Sequence, residues 1–209
     1  LGIWRAGGIA IPLNTSAALP ELEHALLSAG VTRLVISGST DAQVHLGLQA
    51  LCDKLRVRVL QMEELVAQTA ATADTVQLPI LAPKRRAMIL FTSGTTNKPK
   101  GVVSTHQNIA TQITTLLQAW AWQSSDLIPL FLPLHHIHGI INVLCCALWQ
   151  GAELTLFARF EMDTLLQQVE QHRYTVFMAV PTIYVKIIQQ LEALPAPQRA
   201  AVCAGFAAM

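Results

Sequence analysis

Short runs of β-branched and other apolar residues alternate along this chain with stretches whose apolar positions recur every three or four residues. That alternation predicts an α/β fold, with layered sheets and covering helices, rather than an all-α or all-β one. The strand-like runs are residues 9–13, 33–37, 56–60, 87–91, 127–130, 153–157 and 175–178. Helical spacing puts Ile109, Ile113, Leu116, Leu117 and Trp120 on one face. It does the same for Met162, Leu165, Leu166 and Val169, and for Ile183, Tyr184, Ile187, Ile188 and Leu191 behind Pro181, a residue suited to a helix start. These stripes read as core.

Periodicity fails between Gln68 and Arg86, where Ala-Thr repeats are followed by Pro79 and Pro83. The break divides the chain into an α/β portion at 1–66, a linker or crossover at 67–85, and a second α/β portion at 86–209. No repeat of fixed period is present, which excludes a solenoid.

Composition sharpens the fold expectation. Hydrophobic residues make up 52% of the chain and charged residues 13%, against roughly 25% charged in an ordinary soluble domain. Such an excess suits elements covered on both faces, as parallel sheets are, by layers outside this chain. It does not suit a membrane span, because no window offers ~20 uninterrupted apolar residues and the longest candidate, 140–149, contains Asn142. The ends, Leu1-Gly2-Ile3-Trp4 and Ala207-Ala208-Met209, read as cut points, so a fragment is expected. A net charge of +1 without a basic run excludes a nucleic-acid surface. Cys52, Cys145, Cys146 and Cys203 lack CxxC spacing and read as buried free thiols in a reducing compartment.

The stretch richest in chemistry is Phe91-Thr92-Ser93-Gly94-Thr95-Thr96-Asn97-Lys98-Pro99-Lys100-Gly101. Between two apolar runs, it reads as a strand–loop–strand hairpin. Hydroxyls and backbone N–H groups in such a loop can donate to phosphate oxygens, and a lysine supplies a point charge. It is not a Walker A loop, since the Gly-Lys-Ser/Thr ending is absent and no helix follows at once. The plain alternative is a Ser/Thr-rich turn with a solvated lysine pair.

A second block is Leu132-Pro133-Leu134-His135-His136-Ile137-His138-Gly139. Three histidines in four positions raise the possibility of a metal site, but no carboxylate or cysteine stands at a helical ligand spacing beside them. A core histidine is the other simple reading. An α/β hydrolase is excluded by the missing Gly-x-Ser-x-Gly elbow.

Thr92-Ser93-Gly94-Thr95-Thr96 followed by Pro99-Lys100-Gly101 resembles the signature phosphate loop of the acyl-adenylate-forming enzymes, with Asn97 where that family usually has Gly. Asn tolerates left-handed backbone angles, so the turn can survive the change. The histidine block resembles the family's next motif. Ile3-Trp4-Arg5-Ala6-Gly7-Gly8 through Asn14 and Val180-Pro181-Thr182-Ile183-Tyr184 resemble its upstream and acyl-site segments. The resemblance covers essentially the whole chain. It is nearest to malonyl-CoA synthetases through Leu148-Trp149-Gln150-Gly151-Ala152, Phe160-Glu161-Met162-Asp163 and Phe177-Met178-Ala179.

The resemblance implies part of the large N-terminal domain of an acid–CoA ligase that uses ATP, Mg2+ and CoA on a small carboxylic acid. It implies Thr92, Ser93, Gly94, Thr95, Thr96 and Lys100 as ATP-binding groups, Thr96 also toward the metal, and catalytic roles for Lys100 and His136. His136, His138, Val180 and Thr182 are the implied substrate pocket. The adenine-binding, ribose-binding and C-terminal catalytic elements of the family have no counterpart here, so the isolated chain is expected to be inactive. The alternative is a non-catalytic remnant or split-gene product that acts at most as a nucleotide- or partner-binding module. A cytoplasmic location is implied, or the mitochondrial matrix in a eukaryote.

Overall fold

The computed structural model describes residues 1–38, 40–72, 77–92 and 98–209. Their contacts gather into two compact units, Leu1–Gln107 and Asn108–Met209.

The first unit opens with a short helix, α1 (Gly2–Arg5), and continues with α2 (Leu19–Ser28), β1 (Arg33–Ile36), α3 (Ala42–Leu55), β2 (Arg58–Gln61) and α4 (Met62–Thr72). Strands β1 and β2 pair in parallel, which requires the α3 crossover between them. Helix α2 begins with Pro20 in its first turn. On α3, the Asp41 carboxylate caps the start by accepting from the N–H groups of Gln43 at 2.9 Å and Val44 at 3.3 Å. Leu22, Leu26 and Leu51 form the core between α2 and α3, with Leu13, Leu34 and Leu48 packed around them.

Residues 67–72, which composition places in the linker, continue α4. Alanine is the best helix former, and Glu63 and Glu64 in the first turn suit the helix dipole. The expected hairpin is present as β3 (Arg86–Thr92) and β4 (Lys100–Thr105), antiparallel and in register from Met88 opposite Ser104 to Thr92 opposite Lys100. The strand expected at 9–13 is reduced to one parallel bridge, Ala10 with Met88. Ala10 donates to the Ala87 carbonyl and accepts from Ile89. Pro12, which has no N–H, cannot extend that ladder.

In the second unit lie most of α5 (His106–Ala119), then β5 (Leu127–Leu130), a π-helix (His138–Cys145), α6 (Cys146–Gln150), β6 (Glu153–Leu156), α7 (Met162–Glu170), α8 (Pro181–Ala193) and α9 (Ala196–Ala207). Strands β5 and β6, expected from their apolar runs, pair in parallel. No strand forms at 175–178. There the Thr175 hydroxyl accepts from Leu127 N–H at 2.9 Å, and Leu127 O accepts from the Thr175 N–H, so a side chain takes a place in the ladder.

The helical stripes are narrower than spacing predicts. Ile109 and Ile113 are buried on α5, but that helix ends at Ala119 and Trp120 is exposed. On α8 Ile187 is buried, whereas Tyr184 and Ile188 are exposed. Leu165, Leu166, Val169, Tyr174, Ile187 and Val202 form the core, joining α7, α8 and α9. The close packing of α9 on α7 depends on Gly205, where a Cβ would stand 2.1 Å from the Val169 carbonyl oxygen. No described helix is long and apolar enough to cross a membrane.

Cys52, Cys145 and Cys146 are buried and unpaired, while Cys203 is exposed. Burial pushes the Cys145 and Cys146 thiols up to about 11, the Cys145 charge adding to the effect at Cys146. Thiols held protonated are poor nucleophiles. Native-state alkylation with iodoacetamide near neutral pH should therefore modify Cys203 first and leave the other three until the chain is unfolded. Peptide mapping checks this, and early modification of Cys145 or Cys146 would contradict it. A Gly205→Ala substitution should destabilise the second unit by about 1–3 kcal/mol, the usual cost of overpacking. An unchanged urea midpoint would show that α7 and α9 separate freely.

Candidate functional site

Among the residues proposed from sequence, Thr92 and Lys100 are brought together in the first unit. They stand opposite each other at the end of the β3–β4 ladder, and the Thr92 hydroxyl points to the Lys100 carbonyl at 3.5 Å. Ser93, Gly94, Thr95 and Thr96, with Asn97, lie between them in sequence and outside the described residues. The metal role given to Thr96 is therefore not located. No group of three or more His, Cys, Asp or Glu suited to a metal occurs among the described residues.

This end of the ladder is packed tightly for a physical reason. Gly101 pairs with Phe91, and a Cβ on Gly101 would meet the Phe91 ring at 3.3 Å and the Ile89 side chain at 2.9 Å. The glycine thus lets the Phe91 ring lie across β4. The same ring meets the His24 imidazole of α2 edge to face, with centroids 6.3 Å apart.

In the second unit, His136 and His138 lie on one segment. His136 is exposed and His138 half-buried. The segment turns back on itself: His136 N–H donates to Pro133 O, and Ile140 N–H donates to His136 O. Gly139 permits the turn, since a Cβ there would lie 2.5 Å from the Pro133 carbonyl oxygen. His138 begins the π-helix, a winding often found at functional sites. Asn142 within it accepts from the Gln112 side chain of α5 at 2.9 Å.

Val180 and Thr182 flank the start of α8, where Val180 O accepts from the N–H groups of Ile183 and Tyr184. Both side chains are exposed. The two segments are linked through aromatic rings. Phe131, just ahead of the histidine block, packs on Phe177 at 5.7 Å and Phe160 at 5.0 Å, and Phe177 meets Tyr184 at 5.8 Å. Sequence reasoning did not find this cluster, because its members are spread over the loops that follow β5 and precede α7 and α8, and over α8 itself, with no common period. His24 was missed for the same reason: it is 75 residues from the group it touches.

The imidazoles of His135 and His136 are 4.2 Å apart. Burial, and then the neighbouring His136, hold the His135 pKa below the ordinary histidine value.

Against known proteins, the family model described as AMP-binding enzyme matches residues 1–208. The chain is 37% identical to the mitochondrial malonate–CoA ligase of Homo sapiens over 193 residues, 89% of this chain and 32% of that one. It superposes on the ATP-bound MatB of Rhodopseudomonas palustris with a TM-score of 0.78 at 30% identity, covering 90% of this chain and 37% of that chain. A malonyl-CoA ligase solved as a ternary product complex with methylmalonyl-CoA and AMP gives a TM-score of 0.77 at 25% identity, with coverage of 97% and 40%. The chain spans about a third of the length of the curated relatives it matches.

A histidine whose folded-state pKa is lowered binds its proton more readily when unfolded. Stability is then full above the ordinary histidine value of 6.5 and declines as pH falls through it toward the lower folded value. Replacing His135 with Gln should flatten that part of the stability profile, followed as the urea midpoint between about pH 7 and pH 5. An identical acid slope in both proteins would rule out the contribution.

Proposed function

Because the chain belongs to the AMP-binding enzyme family, we propose that it forms part of an ATP-dependent acid–CoA ligase acting on a small carboxylic acid, malonate foremost. The observation that carries this reading is the β3–β4 hairpin, with Thr92 and Lys100 opposed at the two roots of the Ser/Thr-rich run. Likeness to malonate–CoA ligases supports the choice of acid.

In the proposed reaction the substrate carboxylate attacks the α-phosphorus of ATP. The bond to the bridging oxygen breaks, pyrophosphate leaves and an acyl-adenylate forms. The CoA thiol then attacks the acyl carbon, gives up its proton and displaces AMP, leaving the thioester. The carboxylate is itself the nucleophile, so a Ser-His-Asp set is not needed. The protein's contribution is positioning and electrostatic.

Thr92 and Lys100, with Ser93, Gly94, Thr95 and Thr96, are proposed to hold the ATP phosphates. Lys100 supplies charge-assisted donors to a leaving group that gains negative charge. His136 and His138, with Val180 and Thr182, are proposed to border the acid. Mg2+ would enter with ATP, and no described residue is assigned to it. The proposed compartment is the cytoplasm, or the mitochondrial matrix for a eukaryotic source.

Calorimetric titration of the chain with Mg-ATP should show binding, and Lys100→Ala should weaken it about 10- to 100-fold, the usual loss of a charged hydrogen bond. In the longest native product containing this chain, the same substitution should lower malonate-dependent ATP–pyrophosphate exchange. Binding indifferent to Lys100 would sink the phosphate role. Exchange that ignores malonate but responds to another acid would move the substrate assignment.

A further inference from the structure

The ring of His24 touches β3 and the residue leading into β4 at the end of the hairpin where Thr92 and Lys100 stand. It meets β3 through the Phe91 ring, 6.3 Å between centroids, and reaches the residue preceding β4 through a hydrogen bond, Nε2 to Pro99 O, of 2.9 Å. A carbonyl oxygen only accepts, so Nε2 must carry the proton. In the neutral ring Nδ1 is then an acceptor, and the Ser28 hydroxyl, 3.3 Å away and one helical turn on, can donate to it.

The helix that carries His24 is a firm base. Leu22, Ala25 and Leu26 are buried around it, with relative exposures of 6%, 4% and 2%. On α2 the neighbouring Glu23 is tied to Lys54 of α3 at 2.6 Å. The other partner is stiff as well. Pro99 has a fixed φ and restrains Lys98 before it to extended angles. Because the peptide unit is planar, holding the Pro99 oxygen also sets the direction of the Lys100 N–H and where the Lys100 side chain begins.

We infer that His24 is a positioning residue: by donating to Pro99 O and bracing Phe91, it holds the root of β4 so that Lys100 stays opposite Thr92. The consequence for ATP rests on the phosphate role proposed for Lys100, but the clamp itself does not.

Three substitutions separate a donor from a filler. Glutamine places an N–H donor near the position of Nε2. Glutamate has the same size and, ionised, offers only acceptors. Alanine removes both bulk and donor. Amide hydrogen exchange at Lys98, Lys100 and Gly101, with circular dichroism to confirm folding, reads the clamp directly. Mg-ATP titration reads its consequence.

His24→Ala and His24→Glu should speed exchange at Lys100 and weaken Mg-ATP binding, each about 2- to 12-fold, the range for loss of one hydrogen bond. His24→Gln should stay within about twofold of the native chain. Unchanged exchange in the folded Ala and Glu variants would overturn the clamp. A Gln variant as defective as Ala would overturn the donor assignment and leave only packing. If the native chain does not bind Mg-ATP, the phosphate role of Lys100 falls, and the exchange comparison still decides whether His24 holds β4.

Discussion

A phosphate chain can be gripped by a strand–loop–strand hairpin only if the two roots of the loop stay opposite each other. In the first unit the two roots are Thr92 and Lys100, paired at the end of the ladder, and the grip proposed for them depends on that pairing. A shift of one residue along an antiparallel ladder turns every side chain to the opposite face, which would undo the pairing on which the phosphate role proposed for Lys100 relies. Several features oppose such a shift. The Phe91 ring seats on Gly101, where a Cβ would come within 3.3 Å of it. Ala10 bridges to Met88 on the far side of β3. The Arg85 guanidinium donates twice to Gly7 O, anchoring the chain just before the hairpin.

The second unit relies on close approach of backbones. Gly139 accepts the carbonyl of Pro133, and Gly205 accepts that of Val169. In each case a hydrogen in place of a methyl group decides whether two segments touch. The aromatic rings of Phe131, Phe157, Phe160 and Phe177 then pack against the core of α7, α8 and α9 and make edge-to-face and tilted contacts with one another. Such rings contribute large apolar area and fix geometry at the same time. The segments bearing His136, Val180 and Thr182 are thereby anchored to a common core, although none of these three side chains is itself buried.

Much of this was legible in the sequence because it rests on local rules. Alternating runs and stripes foretold the α/β architecture, and Pro181 marked the start of α8. The apolar runs on either side of Thr92-Ser93-Gly94 foretold the hairpin. What failed depended on competition between partners. Residues 9–13 have strand composition, but Pro12 limits them to one bridge. Residues 175–178 lose their ladder to the Thr175 hydroxyl. The His24 contact and the aromatic cluster join residues far apart in the chain, and no window of sequence carries such information. The π-helix was also invisible, since its apolar residues fit an α-helix equally well.

That π-helix has a consequence for how the segment can change. Its winding closes wider turns than the α-helix of α6 that follows, as when Cys146 N–H reaches back five residues to Ile141 O. Removing one residue between His138 and Cys146 would let α winding run on with its backbone bonds intact. It would also turn His138 about the helix axis relative to α6, because each α residue advances about 100° and each residue of the wider π turns advances less. Chain length here works as a compass. A histidine can be re-aimed by a single codon lost or gained, with no change in the chemistry of any side chain.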